Sequence, residues 1–157
     1  MLDWTLARVL HVLEVVVWIG GVAMVTTVLL PAVERLESPH ERIELFERLE
    51  AGFARQARWT TLLTGLSGLY LVYALDAWAR FAQPAFWWMH AMLLVWMVFT
   101  LMLFVLEPLY LHRWLRETAR RNPEGVFVLI RRLHWFLLGI SLITVAGAVA
   151  GSHGWLS

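Results

Sequence analysis

Four long apolar blocks separated by charged stretches dominate the hydrophobic pattern, over residues 4–30, 59–79, 85–111 and 133–151. Each is long enough to cross about 30 Å of hydrocarbon at about 1.5 Å per residue. None shows the strict alternation of a membrane strand, so the pattern predicts helices. The expected fold is all-α: an integral membrane four-helix up-down bundle, one domain over residues 1–157. The first block is too long for the apolar core of a signal peptide and no A-x-A site follows it, so it is expected to stay in the mature chain.

The stretch between the first two blocks has its own helical pattern. In "SPHE", Ser38 is placed as N-cap, Pro39 as the first helical residue and Glu41 as the capping-box acid. Ile43, Phe46, Leu49 and Phe53 then recur at helical spacing, with Glu44 and Arg48 an i,i+4 pair on the other face. A short amphipathic helix is expected over about 39–57, lying on the membrane, capping the bundle or serving as a plain solvated connector. The last connection, "RETARRNPEGVF", reads as a turn at Asn122–Gly125.

Charge sets the expected orientation. All thirteen basic residues are arginine, and eleven of them fall between blocks one and two or between blocks three and four. The positive-inside rule makes that side cytoplasmic, which predicts a multi-pass protein of the bacterial inner membrane with both termini periplasmic. Many of the ten tryptophans fall at block ends, as two aromatic belts would require. A net charge of +1 gives no reason to expect a nucleic-acid partner. The absence of cysteine excludes disulfides, thiolate metal sites, iron–sulfur clusters and covalently attached haem.

Ionisable residues inside apolar blocks are costly and mark candidate sites. His11 and Glu14 stand in "LHVLEVVVWIGG", and His90 stands in the third block. Counted from the block starts, both histidines lie roughly 7–8 Å below the outer surface. In an up-down bundle the first and third helices are diagonal, so the two imidazoles are expected to approach from opposite sides, as axial ligands of a haem b do. A histidine hydrogen-bonded to a neighbouring helix is the bland alternative for either one. Glu14 is expected beside the porphyrin edge or in one interhelical hydrogen bond. Small residues at Gly20–Gly21, Thr64–Gly68 and the GxxxG of Gly147–Gly151 let helices approach, make room for a macrocycle or permit a homodimer. His112 and His134 are expected at the inner interface, not on a second haem.

The motif "LHVLEVVVWIGGVAMVTTVLLPAVER" resembles the first helix of the CopD (copper-resistance protein D) group of membrane proteins. His11, Trp18, Gly20, Gly21, Leu30 and Pro31 match its pattern. His90, Met92 and Pro108 match the third helix of small members, and "RRLHWFLLGISLITVAGAVAG" resembles the last. The related HemJ-type b-haem membrane proteins share the histidine and tryptophan of helix 1. They continue Tyr-Leu-Pro-Arg where this sequence reads "VLLPAVER", so the oxidase activity does not carry over.

The histidine pair, with this resemblance beside it, leads us to expect a membrane haem b protein working in electron transfer, with a quinone or a periplasmic redox partner. The expected cofactor contacts are His11, Trp18, Gly20, Gly21 and His90, with Glu14 added for its place one turn below His11 and not for the resemblance. Two other classes stay open. Copper handling would use His11, His90 and His153, since imidazole and thioether suit Cu(I). A non-catalytic membrane assembly factor would need no cofactor.

Overall fold

The computed structural model describes residues 3–155, with the side chains of all of these except His112 and Arg116. It is all-helical, with no strand among the described residues. Four long helices account for most of the chain. Helix α1 runs Trp4–Glu34 and α2 runs Pro39–Ala74. Helix α3 begins at Trp87 and continues without a break to Arg121, and α4 is Pro123–Ser152. Two short 3-10 turns, Trp78–Ala82 and Pro84–Phe86, lead into α3.

Among the described residues, three segments are long and apolar enough to cross a membrane: Trp4–Glu34, Pro84–Leu111 and Pro123–Ser152. Their outward faces carry exposed Val9, Leu13, Val16, Leu94, Leu101, Leu142 and Ile143. Apolar surface on this scale needs lipid or protein cover.

The expected amphipathic helix and the second apolar block are one continuous helix, α2. Ser38 caps it, accepting from the Glu41 N–H at 3.5 Å, and Pro39 occupies the first turn. Nothing between 39 and 74 breaks it, so the connector and the apolar stretch share one axis. The helix stops at Ala74, short of residue 79. Asp76 adopts the left-handed conformation at φ 47°, which aspartate tolerates in a turn. The last connection is also shorter than expected. Asn122 alone separates α3 from α4, its Oδ1 accepting from the Gly125 N–H at 2.9 Å. Helix α4 therefore starts ten residues before its apolar block.

Prolines widen two helices. Residues Val25–Leu29 of α1 and Met102–Leu111 of α3 are π-helical, and Pro31 and Pro108 lie just after and inside them. A proline cannot donate to the carbonyl four residues back and its ring crowds that oxygen. An i→i+5 turn relieves the conflict without ending the helix.

The core has two main parts. At the arginine-rich end, Val25, Leu30 and Val33 of α1 meet Ile43 and Phe46 of α2, Leu115 and Ala119 of α3, and Val126, Phe127 and Ile130 of α4. Further along, Trp18, Ile19 and Val22 meet Val95, Phe99, Leu137 and Leu138. The Trp18 and Phe99 rings meet edge to face at 4.9 Å. Glycines act as seats for rings. Gly21 lies under Phe53, Gly65 under Trp96, and Gly147 and Gly151 under Trp87 and Trp88, with no room for a Cβ at any of them. The GxxxG face of α4 is thus filled by α3 of the same chain.

Candidate functional site

His11 projects from α1 onto α2 and is half-buried. Its Nδ1 lies 3.1 Å from the Thr64 carbonyl oxygen and 3.0 Å from Ser67 Oγ. A carbonyl only accepts, and the Ser67 hydroxyl already donates to Leu63 O at 2.7 Å. Both partners therefore require the proton on Nδ1, which leaves the Nε2 lone pair free. The ring sits over Gly68, with Cε1 3.1 Å from where a Cβ would stand. An imidazole held through Nδ1–H to a carbonyl, with Nε2 unengaged, is how proteins present a metal-ligating histidine.

His90 does not face it. Among core residues of α3, Phe99 packs onto Trp18. Nine residues at about 100° each is half a revolution, so His90 points away from the side on which Phe99 lies. It is exposed, with Phe81 edge-on at 5.5 Å. The structure does not bring His11 and His90 together across the bundle. Counting residues from the block starts reads a height along each helix but not a direction around it.

The other expected contacts divide. Trp18 is buried on the α3 side of α1, Gly21 seats Phe53, and Gly20 is open with nothing within 4 Å. Glu14 is half-buried and meets no partner among the described residues. His153 is exposed at the end of α4, its Nδ1 2.8 Å from Val149 O. No group of three or more His, Cys, Asp or Glu side chains among the described residues could hold a metal, so the three-histidine copper site is not assembled. His134 bonds its own helix at Ile130 O, 2.9 Å away, and meets Phe46 edge-on. His112, whose side chain lies outside the described set, yields no comparison.

A second polar site escaped the sequence reading. Arg58 of α2 donates through Nε to Leu103 O at 3.1 Å and through Nη2 to Glu107 of α3. Glu107 is buried inside the π-helical stretch. Nearby on α2, Glu50 is pushed up to about 7 by burial, then by Glu107 and Glu47. The signal was available: Glu107 is the acid within the third apolar block, and Arg58 borders the second at a matching height. A second ion pair, Arg131 with Glu34, joins α4 to the end of α1.

Comparison with family models, curated proteins and solved structures finds no match for this chain.

Proposed function

We propose that the chain is a four-pass protein of a bacterial inner membrane, with both termini periplasmic, that carries electrons through a haem b held by His11. One observation carries the reading: the His11 ring, fixed at Nδ1 by Thr64 and Ser67 with Nε2 left free. The resemblance of the first helix to the CopD group points to the same residue. The residues fit one axial ligand and not two, because His90 is turned outward. A single-histidine site is therefore the form proposed. Haem supplies one-electron chemistry when bound. The protein's part is to hold the imidazole in one tautomer and to keep that end of the bundle apolar. A quinone or a periplasmic redox protein is the partner such a position would serve.

The second crossing is assigned to residues 59–74 of α2. Thr61, Thr64 and Ser67 lower its hydropathy, yet they face other helices, while Leu62, Leu66, Leu69 and Tyr73 form an exposed apolar stripe. Reporter fusions at Glu44 and Asn122 should read cytoplasmic, and a fusion at Gln83 periplasmic. The reading of function is tested by a reduced-minus-oxidised spectrum of the purified chain. A b-type α band is expected. No such band, with copper found by elemental analysis, would replace haem with copper handling, and neither would leave the assembly factor.

A further inference from the structure

Midway along the helices, four buried polar atoms have no protein partner: Trp18 Nε1, Thr61 Oγ1, Thr64 Oγ1 and Thr100 Oγ1. Trp18, Thr61 and Thr64 are 3%, 0% and 6% exposed. The three hydroxyls are exceptional in this molecule. A threonine or serine in a buried helix normally turns its hydroxyl back onto a carbonyl of the preceding turn. Thr26, Thr60, Ser141 and Thr144 all do so, at 2.7–3.2 Å. Thr61, Thr64 and Thr100 have turned away from that option.

The four atoms span about two turns of helix, roughly 10 Å. The Arg58–Leu103 contact sets the antiparallel register of α2 and α3, and three residues further along each helix it puts Thr61 beside Thr100. Trp96 confirms that register by donating to Thr61 O at 2.9 Å. On α1, the His11–Thr64 and Gly21–Phe53 contacts place Trp18 opposite Ala57, about one turn from Thr61. Trp18 also leans on Phe99, the neighbour of Thr100. Three helices thus turn polar atoms toward one zone, and inside a membrane no bulk solvent is present to satisfy them.

We propose that this zone is a binding site for a small cluster of internal water, seated on Trp18, Thr61, Thr64 and Thr100. Water fits the chemistry of these groups. Trp18 can only donate, so the occupant must accept there, and water also meets the hydroxyls in either role. Arg58 is paired with Glu107 and so offers an anion no free counter-charge. Buried waters typically make about three bonds to groups that are otherwise unsatisfied, which these four atoms supply. The inference stands on the packing alone and is independent of any haem at His11.

The test uses the purified full chain in nanodiscs and the isosteric change Thr61→Val. Infrared spectra are taken in ordinary and in oxygen-18 water, and thermal stability is measured alongside. The wild type should show an isotope-sensitive band of weakly bonded water that is lost in Thr61→Val and kept in Thr61→Ser. The valine variant should also melt several degrees lower, because losing the water leaves the other atoms unsatisfied. Trp18→Phe, which removes a donor from a different helix, should lose the same band. Absence of the band in the wild type overturns the proposal. So does a melting temperature that rises in Thr61→Val, the response of a dry, unpaired hydroxyl replaced by a methyl.

Discussion

Helix α2 is fastened to its neighbours by a polar anchor near each end of its membrane-facing half, and the two anchors are of opposite kinds. At the arginine-rich end, Arg58 and Glu107 neutralise each other across α2 and α3. At the other end a neutral imidazole, His11, crosses from α1 to a carbonyl and a hydroxyl. The ion pair consumes its partners' bonding capacity and leaves little for a ligand. The imidazole spends one nitrogen on structure and keeps the other. A charged anchor is therefore read as structural here, and the neutral anchor as the place where chemistry is available.

The comparison breaks most visibly at Arg58. Arg58→Ala should remove the arginine from the buried Glu107 and destabilise the fold by about 2–3 kcal/mol. The figure is set below that of a fully buried pair because the Arg58 side chain is 37% exposed. Denaturation by SDS in mixed micelles measures it, and adding Glu107→Gln should restore much of the loss. At the other anchor, Gly68→Val should push the His11 ring off Thr64 and cost about 1–3 kcal/mol in the same assay, while also lowering ligand content.

Glu50 sharpens the contrast through pH. Its carboxyl titrates at about 7 in the fold, above the ordinary carboxylate value, chiefly because it is buried. The folded state then holds a proton that the unfolded state releases. Stability should be highest below the ordinary carboxylate range and fall as pH rises to about 7, levelling off above that. At about 1.4 kcal/mol per pH unit the whole effect is at most about 3 kcal/mol. Glu50→Gln should flatten the profile, with its gain appearing at pH 8 and not at pH 4. A slope unchanged in the variant would assign the titration to another group. The smallest effect belongs to the exposed Glu44–Arg48 pair, whose side chains are 72% and 71% exposed. Glu44→Ala should change stability by less than about 0.5 kcal/mol.

Helix positions were legible in the sequence where periodicity and caps agree. Ser38 and Pro39 placed the start of α2 correctly, and Ile43 and Phe46 are buried as the spacing requires, while Leu49 of the same stripe is exposed. Hydropathy alone misplaced the other boundaries. Residues 75–79 are apolar apart from Asp76, which turns the chain, and the charged stretch before Leu133 hid the first turns of α4. The π-helical segments left no trace except Pro31 and Pro108, since a proline is also compatible with a kink or a helix end. Direction around the helix was not readable for His11 and His90. Ridge packing around Trp18 and Phe99 sets the rotation of α3, and rotation depends on side chains from several helices at once. For Arg58 and Glu107, charge within or beside an apolar block was the usable signal.

The asymmetry of the two histidines is the most direct test of the functional reading. His11→Ala and His90→Ala are purified under the same conditions, and the haem content and reduced-minus-oxidised spectrum of each are compared with the wild type. Alanine is less costly than histidine in a bilayer, so both variants should insert. The account predicts that His11→Ala loses the b-type band while His90→Ala keeps it unchanged. An unchanged band in His11→Ala, or equal loss in both, would contradict it: the first removes His11 from the site, and the second restores a pair of ligands that the packing of α3 keeps apart.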